Sequence, residues 1–503
     1  MKNFVVAIGL CLNLTSFYTL AQTDEDALRY SQLFIGGTAR YLGVGGAFGA
    51  LGADFGAISN NPAGIGLFRS SELSFSPSVT GINLETNFLN SINNDTKLKL
   101  NISNFGIVIA SDLTKNDSEN KWKRLNIGFG ANRVNDFNSS TYYRGFNANN
   151  SLVDFYLEEL NSSGTIPSEI TDNFPFSSAL VWESYLVNPD VADSNAYTSV
   201  IPNGNVQQDK LITEDGSVTE YLFSIGSNYD DQLYLGASIG MPSLHYSYSS
   251  SYVESDVNEG IPDFSSFQLY DNLTTDGVGF NGKFGIAYRL SEWVRFGGSI
   301  HTPTIYFLHD AYSSTINTDL ENSQFSYSTP NGSYNYNLVT PWRAIGSIAL
   351  FYKEFGFLSF DYEFVDYAAM QYKFKKFSSI EEKAIENSLN ETIDLKYAPA
   401  SNIRIGAEIA YNMLRFRAGA GLYGSPFQQG VGTEGYDYSR KFISGGLGVK
   451  AAKFSIDAAY VHSTSNEFYQ PYTLDPESES ETVPGVGIKN TTGNVVLSLG
   501  YKF

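Results

Sequence analysis

The stretch IRIGAEIAYNMLRFRAGAGL, residues 403–422, decides the fold class of this chain. In residues 403–411 an apolar side chain occupies every second position, while Arg404 and Glu408 lie among the residues between them. Residues 414–422 repeat the alternation, with Arg415 and Arg417 on the second face. Such alternation predicts β-strands, and about ten residues is the length that a tilted strand needs to cross a bilayer. The stretch therefore predicts a membrane-spanning hairpin.

The same alternation recurs along the chain, for example in residues 233–241 and 494–503. Starting from a strand at 71–80, we count about fourteen strands. Very short connections fall near residues 230–231, 291, 354, 412 and 451, and a modest one spans 113–121. The long polar connections are expected at 81–97, 135–218, 251–276, 307–340, 378–400, 423–439 and 464–490. Long and short connections alternate, which a water-soluble sandwich has no reason to do. We predict an all-β fold, a transmembrane antiparallel β-barrel of about 14 strands with both termini on the periplasmic side.

The polar face of each strand must point away from lipid, because lipid offers backbone and charged groups no partners. Nine charged side chains are therefore expected to face the lumen: Arg289, Arg295, Asp361, Glu363, Arg404, Glu408, Arg415, Arg417 and Asp457. Two interpretations of these charges are open. In the first, they form ion pairs with one another or with a plug inside the barrel. In the second, some of them contact a ligand.

The N-terminus predicts export. Residues 1–21 combine Lys2, an apolar run and a small-residue cleavage site before Gln22, which is typical of a signal peptide. The single cysteine, Cys11, lies in this segment, so the remainder has no disulfide and no thiolate site. The net charge is -21, and removal of Lys2 makes it -22. This acidity argues against nucleic acid as a partner.

Residues 22–70 lack the alternation of apolar and polar residues that marks a barrel strand. A short helix is expected from Asp24 to Leu33, followed by a glycine-rich run at 36–54 and by Asn60-Asn61-Pro62-Ala63-Gly64. A nucleotide-binding loop is the alternative, but no strand precedes the run and no P-loop lysine follows it. Small residues are better explained by backbone packed in a confined space.

These residues carry a family resemblance. The run from Thr38 through Arg40 to Ala47, then Asp54, then Asn61-Pro62-Ala63-Gly64, resembles the N-terminal hatch of the FadL family of outer-membrane long-chain fatty-acid transporters. Weaker similarities follow at 301–304, 340–343, 361–364 and 404–408, and in the terminal Phe503. The resemblance implies a fourteen-stranded barrel (residues 71–503, with its longest loop at about 135–218) closed inside the lumen by a hatch (residues 22–70).

The hatch residues that the resemblance singles out as bracing or gating are Arg40, Asp54, Asn61, Pro62, Ala63 and Gly64. The long connection at 135–218, with a possible helix at 152–160, departs from the better-studied family members. No substrate-binding residue is therefore carried over. Apolar loop candidates are Phe264, Phe267, Leu269 and Tyr270, although loop packing explains them equally well.

The sequence selects no catalytic or metal site. The four histidines are His245, His301, His309 and His462, and none has a partner at metal-ligand spacing. His301 is expected in the lumen and His309 in a long loop. We expect no enzyme activity, no cofactor and no metal.

The resemblance implies passive uptake of hydrophobic small molecules, such as long-chain fatty acids or aromatic and aliphatic hydrocarbons, across the outer membrane of a Gram-negative bacterium. The expected partners are the substrate, outer-membrane lipid and the insertion machinery that reads the C-terminal strand. The alternative is a non-transporting barrel that serves in an outer-membrane secretion or assembly complex with other outer-membrane proteins.

Overall fold

The computed structural model describes residues 22–115, 119–190, 196–202, 204–374, 380–431, 433, 435–474 and 483–503. The predicted signal peptide at 1–21 lies outside these ranges. The barrel strands are β1 (Glu72–Phe88), β2 (Ser91–Asp112), β3 (Trp122–Asp136, continued by Ser139–Asn147), β4 (Val206–Tyr229), β5 (Leu233–Ser255), β6 (Ser266–Arg289), β7 (Val294–His301 and Ile305–Leu320), β8 (Ser323–Ser328, Gly332–Val339 and Arg343–Tyr352), β9 (Gly356–Asp366 and Gln371–Phe374), β10 (Pro399–Tyr411), β11 (Leu414–Tyr423), β12 (Arg440–Lys450), β13 (Phe454–Tyr469) and β14 (Val486–Lys502).

These strands form one closed sheet. Each strand is antiparallel to its neighbours in sequence, and β14 closes the circle by pairing with β1, where Tyr501 lies opposite Leu73. The breaks within β7, β8 and β9 each leave a single continuous wall. The prediction of a fourteen-stranded antiparallel barrel is confirmed.

The outer surface of the barrel carries an apolar belt. Every strand exposes large apolar side chains on its outward face, represented in strand order by Leu73, Phe105, Phe129, Phe223, Ile239, Phe284, Phe296, Leu350, Phe360, Ile405, Phe416, Ile443, Ile456 and Leu497. A water-soluble barrel would bury such residues, whereas a lipid-facing one exposes them.

Several strands continue far beyond this belt. Three segments that were predicted to be loops are therefore largely strand. The expected loops at 81–97, 251–276 and 307–340 are mostly strand. On β5 the outward residues change from apolar to polar between Met241 and Ser243. The outward faces of these extensions are mostly polar and lack the apolar alternation that marks a lipid-facing strand, so their sequence resembles that of loops. His309 consequently lies on β7, not in a loop.

The extensions carry a folded cap. Residues 148–202 contain a three-turn helix (Leu152–Ser163), the short helices Ile170–Asn173 and Ala179–Glu183, and a two-stranded ribbon of Val187–Pro189 with Tyr197–Ser199. Phe264, Phe267 and Leu269 are buried in the core of this cap. Their burial fits the explanation by loop packing, and Tyr270 points outward.

A further helix, Ile380–Lys396, packs on the end of β9, where Ile393 is buried in a cluster with Tyr372 and Phe374. Among the described residues, no helix is long and apolar enough to cross a membrane.

Candidate functional site

Residues 22–70 fill the lower lumen as a compact plug, which we call the hatch. It contains the helices Asp24–Ser31 and Ala39–Gly43 and two 3-10 turns, Gly56–Ser59 and Pro62–Leu67. The first helix is capped by Thr23, whose hydroxyl accepts a hydrogen bond from the Asp26 amide. Three acidic residues in its first turn suit the helix dipole. The predicted helix therefore exists, but ends at Ser31 and not at Leu33.

The Asn60-Asn61-Pro62 turn is fixed to the barrel wall. The Asn61 side chain donates to the Gly49 carbonyl (2.6 Å) and to the Ile286 carbonyl (3.1 Å), and accepts from the Ala63 amide (3.0 Å). Pro62 begins the second 3-10 turn, where its missing N–H costs no hydrogen bond. Asn61 has φ -141°, the extended conformation that a residue before proline prefers.

Asp54 and Arg40 brace the middle of the hatch. Asp54 accepts hydrogen bonds from the Thr38 hydroxyl (2.7 Å) and the Gly56 amide (2.9 Å), and Arg40 lies 4.0 Å from its other oxygen. Burial raises the pKa of Asp54, and Arg40 opposes that rise. Arg40 also donates to the Ala53 carbonyl (2.8 Å). The structure thus places Arg40, Asp54 and the buried Ala63 and Gly64 within one plug.

Glycines of the wall let the hatch backbone approach the strands directly. A Cβ on Gly285 would lie 2.0 Å from Asn61 Oδ1, and one on Gly406 would lie 2.1 Å from the Val44 carbonyl oxygen. Both contacts are far too short for any side chain. The polar face of the barrel is therefore shaped to fit this plug.

Six of the nine inward charges predicted from the sequence form two buried clusters, namely Asp361, Glu363, Arg404, Glu408, Arg417 and Asp457. In the first, Glu363 accepts from Arg343 (2.6 Å) and from Arg404 (3.0 Å), and Arg404 also donates to the Asn60 side chain (3.1 Å). Asp361 accepts from the Gly49 amide (3.0 Å) and the Asn60 side chain (2.9 Å). This cluster holds the hatch, so the plug-pairing interpretation fits these residues.

In the second cluster, Arg417 donates to Glu408 and to Asp457, both at 2.6 Å. Arg415 is half-buried near the periplasmic end, where it donates to the Asn412 carbonyl (2.8 Å). A buried charge without a partner costs several kcal/mol, so such clusters specify the geometry of the docked hatch more than they stabilise it.

Above the hatch lies a chamber of about 590 Å³, within the range typical of small-molecule sites. Its floor is the first hatch helix, with Leu28 and Arg29, and the Phe34 side chain beyond the end of that helix. Aromatic residues such as Tyr248 and Phe427 form its walls. Burial raises the pKa of Asp26 on the floor, and Arg29, which pairs with Asp26, opposes the rise.

The barrel wall is incomplete beside this chamber. Pairing between β2 and β3 stops at Asn104 and Asn132, although β2 continues upward along β1 and β3 continues along β4. A bulge between Arg133 and Asn135 turns β3 away from β2. We call the space between residues 101–103 and 133–136 the wall gap.

A small cavity of about 110 Å³ lies at the wall gap and touches both of its edges. The chamber and this cavity share five wall residues, namely Phe34, Asn135, Asp136, Tyr423 and Arg440. On the outer surface, Leu98, Leu100 and Ile102 of the β2 edge are 74%, 75% and 58% exposed, because no strand covers that side. The gap therefore faces the apolar belt.

The hatch fills the lower part of the gap. The Phe34 amide donates to the Val134 carbonyl (2.8 Å) on one edge, and the Ser103 hydroxyl donates to the Gly37 carbonyl (2.8 Å) on the other. Higher up, the Asn101 side chain donates to Asp136 (3.1 Å) across the gap. The segment 34–37 thus stands between the chamber and the membrane.

Arg440 is the basic residue that chamber and small cavity share. Its guanidinium lies 4.4 Å from the centre of the Phe34 ring and donates to the Ser463 hydroxyl (3.1 Å). Within the described ranges, no carboxylate forms a salt bridge with it. The sequence did not single out this residue, because nothing along the chain distinguishes an arginine at a strand end from one in a loop.

No known family model matches this chain, and no curated protein does. Solved structures share its fold. A Pseudomonas aeruginosa FadL homologue is 12% identical, with 94% of this chain and 100% of that chain covered and a TM-score of 0.55. The CymD monoaromatic hydrocarbon channel is 13% identical, with 93% and 98% covered and a TM-score of 0.50. The Pseudomonas putida toluene transporter TodX is 11% identical, with 94% and 100% covered and a TM-score of 0.50. The resemblance to the FadL family is therefore confirmed at the level of the fold.

Proposed function

We propose that this protein is an outer-membrane channel of a Gram-negative bacterium for the passive uptake of hydrophobic small molecules. The observation that carries the proposal is the wall gap, which joins a chamber inside the barrel to the apolar belt outside it. A porin for polar solutes needs an open water-filled lumen, whereas this lumen is plugged. The comparisons give no support to the alternative role as a subunit of a secretion or assembly complex.

An apolar molecule has a physical reason to leave sideways. Below the hatch the lumen ends in a charged cavity of about 240 Å³, lined by Arg40, Glu408, Arg415 and Lys450 among others. Each buried methylene gains about 0.8 kcal/mol in an apolar environment, so a long chain would lose several kcal/mol on entering that cavity. The wall gap instead leads directly into lipid.

Arg440 indicates which hydrophobic molecules suit the chamber. A guanidinium beside Phe34 and Tyr423 can bind a carboxylate while the aromatic walls contact an acyl chain. We therefore place long-chain fatty acids ahead of uncharged aromatic and aliphatic hydrocarbons as substrates. In this proposal the hatch is the gate, because the Asn61-Pro62 turn and segment 34–37 hold it closed.

The test is uptake by cells that lack the protein, carry it, or carry Arg440→Met at equal surface abundance. We expect the protein to accelerate entry of a labelled long-chain fatty acid and not of a polar solute of similar size. Charge-assisted hydrogen bonds contribute about 1.5–3 kcal/mol, so Arg440→Met should weaken fatty-acid binding about ten- to hundred-fold and leave binding of an uncharged alkane unchanged. Equal entry of every lipophilic compound with and without the protein would refute the proposal.

A further inference from the structure

A row of polar side chains crosses the outer face of the sheet just beyond the apolar belt. His245 on β5 lies directly opposite Asp276 on β6, and Asp276 lies directly opposite His309 on β7. All three side chains are exposed on the outward face. Two of the four histidines in the chain thus flank one carboxylate across three adjacent strands.

Their spacing suits a shared ligand. Side chains directly opposite one another on antiparallel strands have Cβ atoms about 4.5–5.5 Å apart, which is within the combined reach of an imidazole and a carboxylate. His245 Nδ1 already lies 2.7 Å from Asp276 Oδ1. Two ligand atoms on a tetrahedral zinc, each about 2.1 Å from the metal, are about 3.4 Å apart, so a small opening of this pair admits the ion.

We propose that His245, Asp276 and His309 form a surface site for a divalent transition-metal ion such as Zn²⁺, with water in the remaining position. Two imidazoles and one carboxylate are the donor set that zinc, nickel and copper accept.

The site requires one side chain to turn. His309 Nδ1 now contacts the Asn335 side chain at 3.1 Å, on the strand farther from Asp276. Among the described residues, no three ligating side chains are already gathered around one point. Because His309 is exposed, rotation of its imidazole toward Asp276 meets no core packing, and the hydrogen bond that it gives up is a surface one.

An ion bound by this row would lie where three strands leave the membrane. Val278 and Phe307, two residues away from Asp276 and His309 in the direction of the membrane, are still exposed apolar residues of the belt. The row therefore lies at the upper boundary of the membrane, where strands β5 to β7 leave lipid and continue as the polar extension that supports the cap. A bound ion would join these three strands at that boundary.

No two histidines have metal-ligand spacing along the chain, so the sequence alone predicts no metal site. The strand register brings together residues separated by about thirty positions, which spacing rules do not examine. The proposed site thus reverses the expectation that the chain binds no metal.

The test uses the purified full-length protein in detergent, titrated with Zn²⁺ alone by calorimetry, and with Cu²⁺ for electron paramagnetic resonance. We expect one ion per chain, and two imidazole nitrogens in the copper spectrum. Since even supporting residues of metal sites change affinity 10–100-fold, His245→Ala, His309→Ala and Asp276→Asn should each weaken zinc binding at least ten-fold.

His462→Ala is the matched control. His462 lies on β13 between Ile443 and Gly493 on the neighbouring strands, with no carboxylate opposite it. It should leave zinc affinity unchanged. Zinc binding that survives His309→Ala, or that His462→Ala weakens equally, would overturn the proposed site, as would the absence of one-to-one binding by the unaltered protein.

Discussion

Substitution of Gly285 by alanine should release the hatch without disturbing the barrel. The added methyl group would lie 2.0 Å from Asn61 Oδ1 and 2.9 Å from the Ala63 amide nitrogen, so the Asn61-Pro62 turn must move away from the wall. Gly285 itself has an ordinary strand conformation, and alanine fits its backbone. The strain therefore falls on the plug.

The magnitude follows from the steric overlap and from the hydrogen bonds that the displaced turn gives up. Overpacking a filled site costs about 1–3 kcal/mol, and each hydrogen bond between this turn and the wall, such as the one that Asn61 donates to the Ile286 carbonyl, contributes about 0.5–1.5 kcal/mol. A net destabilisation of about 3 kcal/mol raises the undocked population of the hatch about a hundred-fold, since 1.4 kcal/mol corresponds to a factor of ten. That is a small part of the stability of a fourteen-stranded barrel, so surface abundance should not change.

Hydrogen–deuterium exchange of residues 56–67 measures this undocking directly, and planar-bilayer conductance measures its consequence. The control is Gly346→Ala, a barrel glycine whose added methyl group meets no atom within 4 Å. We expect faster exchange and more frequent conducting events in Gly285→Ala alone. If the two variants exchange equally in residues 56–67, the hatch is not held by this close approach.

Three further predictions test other parts of the structure. Pro62→Gly frees φ at the hatch turn and should destabilise the docked turn by about 1 kcal/mol. Fatty-acid uptake should then change several-fold while the surface abundance of the protein stays constant. Unchanged uptake would mean that Pro62 only braces the hatch and does not take part in gating. Burial raises the pKa of Asp154 in the cap to about 6, so the folded cap binds this proton more tightly than the unfolded cap, and its stability should fall as pH rises through about 6. Hydrogen–deuterium exchange of residues 152–163, compared between pH 5 and pH 7.5, should show this dependence of cap stability on pH. The substitution Asp154→Asn should reduce the dependence, and Asp172→Asn, at an exposed position, should not. Deletion of residues 501–503 removes the last two β14 residues that pair with β1, Tyr501 and Lys502, and should lower the amount of heat-modifiable barrel in the membrane. A normal amount would contradict that role for the end of the C-terminal strand.

The sequence predicts the membrane-spanning strands, because the contact with lipid restricts which residues each face of a strand can carry. A strand in lipid must expose apolar side chains on one face, so the alternation at 403–422 revealed both the strand and the inward direction of Arg404 and Glu408. The tight packing of the hatch was visible in its glycines for a similar reason, since only small residues allow backbone to approach a wall closely.

The remaining features depend on relations that a single sequence does not display. The wall gap is a loss of pairing before Asn104 on β2 and after Asn132 on β3, and its strand residues look like those of any other strand. The extensions beyond the membrane have polar outward faces, so their strands at 243–255 resemble loops. The His245–Asp276–His309 row exists only in the register of three strands.

Lateral passage through the wall gap can be tested with a reversible cross-link across it. Asn101→Cys with Asp136→Cys places two thiols across the gap where the native side chains are 3.1 Å apart, and residues 22–503 contain no other cysteine. Ser224→Cys with Ser238→Cys forms the control across two fully paired strands, where the native hydroxyls are 2.7 Å apart. Oxidation of the gap pair should lower fatty-acid uptake several-fold and reduction should restore it, while the variant with the control pair should transport equally in both states. Undiminished uptake with the gap pair fully oxidised would contradict lateral passage.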